Sequence, residues 1–312
     1  MRVIITGVTG FVGSHLAEYL LDKAEVWGLK RWRSPTQNID HLKLNLIDGD
    51  LKDLSFCIQM INKIKPDKIF HLAAQSYVPF SYTNPIETIQ DNVIGTANLL
   101  EAVRLTEQDP LIHICSSSEV YGQVREEDLP INELCRLNPA SPYGVSKVAE
   151  DMLGLMYYTA YGLKTVRTRM FTHTGPRRGE VFVCSKFAKQ IAEREKYGGN
   201  VIYSVGYLDS VRTFADVRDT VRAYWLLRDD MAGQVYNIGG DTTMTCREML
   251  IDLLTLSKLE EWDIDDKPTD RPAEVTLQIP DTTKFKEATG WKPEIPFSQT
   301  LSDLLDYWRG RV

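Results

Sequence analysis

The sequence predicts an α/β protein built on a doubly wound parallel sheet, with a smaller α/β lobe towards the C-terminus. In its first half, short β-branched runs alternate with amphipathic helical stretches, whereas the later part is less regular. Strands separated by helical crossovers form parallel sheets with helices on both faces. A length of 312 residues and a hydrophobic content of 43% supply enough apolar side chains for such a core.

The predicted elements follow one another closely in the first half. Residues 3–6 are predicted as a buried strand, residues 14–21 as a helix and residues 25–29 as a second strand. Further strands are predicted over 67–74 and 111–116, with helices between them. In the later part the spacing of apolar residues predicts three helices, the last of them amphipathic and capped: 185–197, 246–256 and 297–308.

The composition excludes several classes of function. A formal net charge of −7 argues against nucleic acid as the main partner. The five cysteines show neither a disulfide framework nor C-x-x-C metal spacing, which favours a reducing compartment. No apolar run approaches the ~20 residues of a membrane span, and no signal-peptide pattern is seen. We therefore expect a soluble, cytoplasmic protein with no metal site and no membrane partner.

A glycine-rich turn, T-G-V-T-G-F-V-G, lies between the first predicted strand and the first helix. Gly7 allows the tight turn, Gly10 lets the backbone approach a pyrophosphate, and Gly13 lets the helix pack closely on the sheet. The helix N-terminus then presents N–H groups to the anion. A turn without ligand is the alternative, but the position favours a Rossmann-type dinucleotide site. Its further candidate contacts are Thr9, Phe11 and Val12.

The second predicted strand ends in L-K-R-W-R-S, where NAD-specific proteins usually offer an acidic residue. Arg31 and Arg33, with Lys30, instead provide charge and guanidinium geometry for a 2′-phosphate. NADP is therefore expected over NAD, and a solvated basic loop is the alternative. Further candidate cofactor contacts follow the third and fourth strands: Asp50, Leu51, Leu72, Ala73, Ala74, Gln75 and Ser76.

Two later segments combine the groups needed for proton transfer. S-S-S-E, residues 116–119, follows a predicted strand, and S-P-Y-G-V-S-K places Tyr143 and Lys147 four residues apart on one helix face. A nearby ammonium and the positive charge of a bound nicotinamide would lower the pKa of the phenol, so that Tyr143 exchanges a proton with a substrate hydroxyl. Capping of a turn is the alternative role for the serines, and Ser116 is the expected structural member.

The motifs together resemble the extended short-chain dehydrogenases/reductases, and more closely the GDP-mannose 4,6-dehydratase family, over essentially the whole chain. Ser117 stands where that family has a catalytic threonine, which keeps the hydroxyl. The segments that carry the resemblance are T-G-V-T-G-F-V-G, G-L-K-R-W-R-S, L-A-A-Q-S, S-S-E-V-Y-G, S-P-Y-G-V-S-K, H-T-G-P-R-R-G-E-V-F-V, L-D-S-V-R and R-P-A-E-V.

The resemblance implies an internal redox cycle on a nucleotide sugar, GDP-mannose or a close relative. Tyr143, helped by Ser117, would take the proton of the 4-hydroxyl while hydride passes to NADP. Glu119 would take the acidified C5 proton and help water leave from C6, after which the hydride returns to C6. Ser117, Ser118 and Glu119 would also contact the sugar. The cofactor would occupy a Rossmann domain over 1–170 plus about 212–240.

The remaining site residues are also implied by the resemblance. His173 and Arg178 would contact the cofactor, and Thr172 replaces an asparagine that usually contacts the substrate. Lys186 and Arg212 would face a diphosphate, for which guanidinium geometry is well suited.

Arg271 and Glu274 match positions used at the nucleoside end, and a carboxylate accepts two hydrogen bonds from ribose hydroxyls. For each arginine a surface salt bridge is the alternative. The substrate lobe would comprise about 171–211 plus 241–312.

The helical segments 89–104 and 147–161 are expected to form a homodimer, with a tetramer as the alternative. The segment after the second strand is short compared with the family, which puts the tetramer in doubt. Apolar residues at helical spacing in these segments would otherwise be ordinary core. They are Ile94, Leu99, Met152 and Leu155.

Two other functions stay open. A reductase of GDP-4-keto-6-deoxy-mannose needs only Ser117, Tyr143 and Lys147, and parts of the chain resemble such enzymes: S-S-S-E, A-Y-W-L-L and T-G-W-K-P. R-R-G-E-V-F-V favours the dehydratase, whereas Glu119 does not separate the two. An NADP-binding sensor without activity is the third hypothesis, and the intact proton-transfer residues count against it.

Overall fold

The computed structural model describes residues 1–204, 206–266, 272–273 and 275–312. Thirteen strands are found in these ranges: β1 (Arg2–Thr6), β2 (Glu25–Lys30), β3 (Asn45–Asp48), β4 (Lys68–His71), β5 (Leu111–Ser117), β6 (Thr165–Met170), β7 (His173–Thr174), β8 (Val201–Tyr203), β9 (Val211–Asp216), β10 (Val235–Ile238), β11 (Thr242–Thr245), β12 (Asp263–Asp265) and β13 (Leu277–Gln278).

The α-helices of the same ranges connect these strands. A π-helical turn, Gln90–Ile94, joins two of them. The helices are α1 (Phe11–Leu20), α2 (Leu54–Ile64), α3 (Val78–Thr83), α4 (Pro85–Ile89), α5 (Gly95–Leu105), α6 (Pro142–Tyr161), α7 (Val183–Tyr197), α8 (Val217–Trp225), α9 (Cys246–Thr255), α10 (Thr283–Thr289) and α11 (Phe297–Arg309).

The predicted α/β fold class is confirmed. Seven parallel strands form one sheet in the order β10-β6-β5-β4-β1-β2-β3. The strands β4 and β6 are buried at every position, because helices cover both faces of a parallel sheet of this kind. The order reverses between β1 and β4, and ligands of such sheets bind beside this switch point, at the carboxyl ends of the strands.

A second hydrophobic cluster supports the smaller lobe. Strand β9 pairs with β11, β13 and β7, and β8 pairs with β12. Helices α7, α9 and α11 enclose a core that includes the buried residues Phe187, Leu250 and Leu304. Trp308 of α11 donates to Ser185 of α7, and the Arg309 guanidinium forms an ion pair with Glu195. The end of the described chain is thereby fastened to a helix more than a hundred positions earlier.

Three details differ from the predicted elements. Helix α1 begins at Phe11 rather than at residue 14, because the glycine turn ends in the extended residue Gly10. Helix α11 has no side-chain cap, since the residue before it is Pro296, which fixes the entry geometry without a capping oxygen. The returning segment expected from about residue 212 begins within β9, a strand of the smaller sheet.

Several charged and polar groups are enclosed in the larger sheet. Asp151 of α6 is fully buried between two guanidinium groups, with its carboxylate oxygens 2.9 Å from Arg167 and 2.8 Å from Arg169. His71 and His113 are buried in β4 and β5, and each ring is hydrogen-bonded to a threonine hydroxyl. These groups fix the relative positions of the strands that carry the candidate site.

The outer face of α6 and the adjoining turn expose apolar side chains. Ile94, Met152 and Met156 are exposed, whereas Leu99 lies in the core. Leu155 is half-buried. Among the described residues, no helix is both long enough and apolar enough to cross a membrane.

Candidate active site

A cavity of about 960 Å³ lies between the large sheet and the smaller lobe. The segments that directly follow β1, β4, β5 and β6 line one side of it, and residues of the lobe, among them Cys184, Arg212 and Gln278, line the other. This volume lies at the upper end of the range of about 300–1,000 Å³ that is typical of ligand sites. The fold therefore places one continuous binding space at the carboxyl ends of the parallel strands.

The glycine turn at the head of α1 is closely packed. Gly7 has a φ of +71°, and its carbonyl accepts a hydrogen bond of 3.0 Å from the Gly10 amide. A Cβ atom at Gly13 would lie 2.2 Å from the Gly7 carbonyl oxygen, so no side chain fits there. The N-terminus of α1 consequently faces the cavity with its amide groups, and the backbone fits a pyrophosphate.

The predicted cofactor contacts converge on the same cavity, with one exception. The Asn92 side chain accepts from the backbone amide of Gln75 at 2.7 Å and donates to its backbone carbonyl at 3.0 Å, and no sequence motif pointed to Asn92. Arg33 does not line the cavity, and its guanidinium lies over the exposed Trp32 ring instead. The predicted residues that line it are Gly7, Thr9, Gly10, Phe11, Val12, Gly13, Arg31, Asp50, Leu51, Leu72, Ala73, Ala74, Gln75, Ser76, Tyr143, Lys147, His173 and Arg178.

The basic residues after β2 differ in their surroundings. Lys30 is paired with Asp48 at 2.5 Å. Arg31 lies at the cavity wall with 64% of its side chain exposed, and its contact with Asp91 is a long 3.5 Å. Lys52 already neutralises Asp91 at 2.7 Å. The Arg31 guanidinium is therefore only weakly engaged, and it is the arginine of this loop that can reach a phosphate in the cavity.

Tyr143 and Lys147 lie in the first part of α6, which begins with a strong start signal. Ser141 accepts from the Gly144 amide at 3.0 Å, and Pro142 occupies the first turn. The Lys147 ammonium donates to the Cys115 carbonyl and to Glu150, both at 2.9 Å. The structure thus brings the predicted tyrosine–lysine pair together with the end of β5.

Burial and the Lys147 ammonium have opposite effects on the pKa of Tyr143. Burial raises the pKa of the Tyr143 phenol, and it outweighs the opposing effects of Lys147 and of the hydrogen bond with Ser117. The ammonium lowers the pKa as expected, but its effect is smaller than that of burial, because the phenol is almost completely enclosed. The Lys147 ammonium therefore reduces the rise in the pKa of Tyr143 but does not reverse it.

Glu150 is a buried partner of Lys147 that the sequence analysis missed. Burial raises the pKa of its carboxyl to about 7, and the Lys147 ammonium opposes this rise. The same ion pair raises the pKa of Lys147 above its usual value, against the effect of burial. A glutamate three residues after the lysine of Y-x-x-x-K was the available signal, since that spacing also places it on the same helix face.

Glu119 lies on the turn that follows β5 and is held from both sides. Its amide donates to Ser117 Oγ at 3.2 Å. Its carboxylate Oε1 accepts from the side-chain amide nitrogen of Gln278 at 3.2 Å, and Ser118 Oγ donates to the side-chain amide oxygen of Gln278 at 3.1 Å. Ser116 donates instead to the Lys147 backbone carbonyl. The hydroxyls of this turn therefore have distinct partners, and Gln278 was not foreseen.

His173 and Arg178 form an aromatic-lined wall of the cavity. The His173 ring stacks on Phe11 at 5.8 Å between centroids, and burial lowers the pKa of His173 to about 3. The Arg178 guanidinium lies 3.6 Å from the centre of the Phe182 ring, and burial lowers the pKa of Arg178 to about 10. A neutral imidazole and a stacked guanidinium are consistent with contacts to a cofactor.

Some of the predicted substrate residues line the cavity in the structure, and others do not. Ser117, Ser118, Glu119, Thr172 and Arg212 line the cavity, and Arg212 donates to the carbonyls of its own strand and of Val275. Lys186 is exposed on α7 and does not line the cavity. The predicted residues Arg271 and Glu274 lie outside the described residues.

Comparison with known proteins gives a consistent result. Residues 4–304 match the family model described as GDP-mannose 4,6 dehydratase. The chain is 35% identical to GDP-6-deoxy-D-mannose reductase of Pseudomonas aeruginosa, covering 100% of this chain and 98% of that protein. It is 33% identical to GDP-mannose 4,6-dehydratase of Yersinia enterocolitica, covering 97% and 92%. The structure of RMD from Pseudomonas aeruginosa complexed with NADPH superposes with a TM-score of 0.86 at 33% identity, covering 100% and 99%.

Proposed function

Because the chain belongs to the GDP-mannose 4,6-dehydratase family, we propose that it is a hydro-lyase that converts GDP-mannose to GDP-4-keto-6-deoxy-mannose. The observation that supports this function is the segment R-R-G-E-V-F-V, residues 177–183, most of which lines the cavity. Glu119 lies in the same cavity as Ser117, Tyr143 and Lys147; dehydration requires it, although it does not by itself separate dehydration from reduction. Reduction of a ketone needs one proton-transfer group. Elimination of water next to a ketone needs a second group that both accepts and donates a proton, and a carboxyl can do both.

The protein residues would divide the reaction between them. The bound nicotinamide cofactor would supply the oxidation at C4 and the later reduction at C6. Tyr143, as the phenolate, takes the proton of the 4-hydroxyl, and Ser117 holds the phenol oxygen through their hydrogen bond. Lys147 stabilises the phenolate before it accepts this proton, since its ammonium remains charged. Glu119 takes the C5 proton and delivers it to the hydroxyl that leaves C6 as water, and Tyr143 returns its proton to C5 when C6 is reduced.

NADP is the cofactor that we propose. Arg31 supports this choice, because a weakly engaged guanidinium at the adenosine end of the cavity suits a 2′-phosphate. The similar reductase structure from Pseudomonas aeruginosa contains NADPH. Gly7 and Gly13 leave room for the pyrophosphate in either nucleotide, so the distinction lies in the loop after β2.

The test is incubation of the purified protein with GDP-mannose and NADP, without NADPH, followed by mass spectrometry. The proposed function predicts a product lighter by one water and no net consumption of cofactor. Heat-treated protein serves as the control for spontaneous loss of water. Absence of the dehydrated product under these conditions would contradict the proposal.

The 35% identity to a GDP-6-deoxy-D-mannose reductase favours a second candidate, reduction of GDP-4-keto-6-deoxy-mannose at C4. That reaction needs Ser117, Tyr143 and Lys147 but not Glu119. Oxidation of NADPH on addition of the keto sugar, with no reaction of GDP-mannose, would establish it. Cofactor binding without turnover of either sugar would leave the NADP-binding sensor.

We further propose a cytoplasmic homodimer, in which the exposed apolar residues of α6 and the adjoining turn pair with those of a second copy. Ile94, Met152 and Met156 support this interface, because exposed apolar side chains on neighbouring helices are typical of self-association. A monomer in analytical ultracentrifugation would contradict it. The five cysteines are all free thiols, which suits a reducing compartment. We also propose a division into a Rossmann domain and a smaller substrate lobe, which is supported by the separate hydrophobic cluster around α7, α9 and α11.

A further inference from the structure

Gln278 connects the smaller lobe to the turn that carries Glu119. It is the last residue of β13, and only 2% of its surface is exposed. Its side chain lines the cavity and reaches the segment after β5, about 160 residues earlier in the chain. The proposed mechanism does not use Gln278, and no sequence motif pointed to it.

The oxygen and the nitrogen of the Gln278 side-chain amide have different hydrogen-bond partners. The Ser118 hydroxyl donates to the amide oxygen at 3.1 Å, and the amide nitrogen donates to Glu119 Oε1 at 3.2 Å. A carboxylate is an acceptor only, so the nitrogen has to face Glu119 and the oxygen has to face Ser118. Both the side chain and its amide orientation are thereby fixed by the turn.

We propose that Gln278 is a positioning residue that holds the carboxylate of Glu119 in the orientation needed for elimination of water. This inference rests on the proposed dehydratase function. A hydrogen bond at Oε1 fixes the plane of the Glu119 carboxylate and so determines the direction in which its oxygens face the substrate. Leucine, which is one atom shorter and has no polar atoms, could not do this.

The position of Gln278 depends on the smaller lobe. In the pairing of β13 with β9, Gln278 lies opposite Arg212 and Leu277 opposite Val211. The Arg212 guanidinium donates to the Val275 carbonyl, which fastens the start of the same segment. Arg212 is a candidate diphosphate contact, so correct placement of β13 links the substrate side of the cavity to the orientation of Glu119.

The chain offers a matched control at the same junction. The amide and the hydroxyl of Thr276, two residues before Gln278, donate to Gln123 Oε1 at 2.7 and 3.2 Å. Gln123 is exposed and follows the turn after β5. It therefore joins the same two segments as Gln278 does, but its side chain makes these contacts with Thr276 and not with Glu119.

The experiment compares Gln278→Leu, Gln278→Glu and Gln123→Leu with the wild-type protein. Loss of one hydrogen bond to a carboxylate should lower kcat for dehydration about tenfold to a hundredfold in Gln278→Leu. Gln278→Glu should lower kcat as well, because a second carboxyl next to Glu119 raises the pKa of one of the two. KM for GDP-mannose should change less than kcat, and NADPH absorbance should accumulate because oxidation at C4 outruns elimination. Gln123→Leu should retain wild-type kcat. Circular dichroism establishes that each variant is folded.

Two outcomes overturn the inference: an unchanged kcat in a folded Gln278→Leu protein, or an equal loss in Gln123→Leu. Crystal structures of the wild type and of Gln278→Leu give a readout that is independent of activity. Displacement of the Glu119 carboxylate in the variant supports the positioning role, and an identical position overturns it. Failure of the wild type to dehydrate GDP-mannose contradicts the proposed function but not the positioning role. In that case the two crystal structures still decide whether Gln278 positions Glu119.

Discussion

Tyr143 is the residue whose removal should affect chemistry most and stability least. Tyr143→Phe deletes a hydroxyl that hydrogen-bonds with Ser117 but keeps the ring in its buried place. General acid–base catalysis contributes about 10²–10⁴-fold, so kcat should fall by that factor. The urea midpoint of unfolding should stay close to the wild-type value. A variant that keeps more than a tenth of the wild-type kcat would show that another group moves the proton.

Glu119→Gln should separate oxidation from elimination. The glutamine amide cannot accept the C5 proton, whereas Tyr143 and Lys147 are left unchanged. We expect NADPH absorbance to rise on addition of GDP-mannose and to remain, with no dehydrated product in the mass spectrum. Tyr143→Phe, which blocks the earlier step, provides the comparison without this rise. Full dehydration activity in Glu119→Gln would remove Glu119 from the role of base.

The loop after β2 offers a matched pair of arginines for testing cofactor choice. Arg31 lines the cavity, whereas Arg33 does not. Arg31→Ala should weaken NADP binding about tenfold to a hundredfold, the usual loss for a charge-assisted hydrogen bond, and NAD binding far less. Arg33→Ala should leave both affinities unchanged. Isothermal titration measures the four dissociation constants, and equal losses for NADP and NAD in Arg31→Ala would contradict the assignment.

Local motifs explain which site residues could be predicted. The glycine turn, Tyr143 and Lys147 each depend on spacing within one segment, and the structure brings them to one cavity. Gln278 could not be predicted in this way, because its role depends on contact with a turn about 160 residues earlier. The direction of the pKa shift of Tyr143 could not be predicted from the sequence either, because it depends on how completely the phenol is buried.

At the scale of elements, α6 is fixed to the sheet by a buried charge. Asp151 is fully enclosed between Arg167 and Arg169. Asp151→Asn would leave two buried guanidinium groups without their anion and should lower the free energy of unfolding by about 3–5 kcal/mol. Urea denaturation measures the change. Asp128→Asn, which removes an exposed contact with Arg125, should leave the urea midpoint unchanged, and a similar midpoint in Asp151→Asn would contradict the prediction.

The order of elements was predictable from periodicity, but their ends were not. The alternation of strands and helices gave the parallel sheet correctly, because that pattern is local and repeats. The start of α1 depends on the backbone of Gly10, and the absence of a cap on α11 follows from Pro296. The membership of β9 in the smaller sheet depends on pairing with β11 and β13, which no single segment specifies.

For the molecule as a whole, buried histidines should make stability sensitive to acid. Burial lowers the pKa of His15 to about 4 and that of His71 and His113 to about 3, from 6.5. Below pH ~6.5 the unfolded chain therefore binds protons that the folded protein does not. The contribution of these histidines to the free energy of unfolding is fully present above that pH. As the pH falls below it, the free energy of unfolding decreases by about 1.4 kcal/mol per pH unit for each histidine.

Urea midpoints measured from about pH 7 down to about pH 5 test this expectation. The midpoint should fall steeply with pH in the wild type. His41 is exposed, so His41→Gln should show the same slope. A midpoint that does not change across this range would contradict the assignment of neutral histidines to the folded protein.

The large sheet and the sheet built on β9 each take strands from both sides of Gly198, which has a consequence for a protein cleaved at that residue. A protease that cleaves at the exposed Gly198, after α7, would produce one fragment with β1 to β7 and another with β8 to β13. The second fragment carries β10, which completes the large sheet, and α11, which packs on α7. Neither fragment holds the whole of the large sheet or of the sheet built on β9, so the nicked protein should run as one species in gel filtration and as two bands on a denaturing gel. The same site would then serve for a split protein whose halves regain activity only when both are expressed.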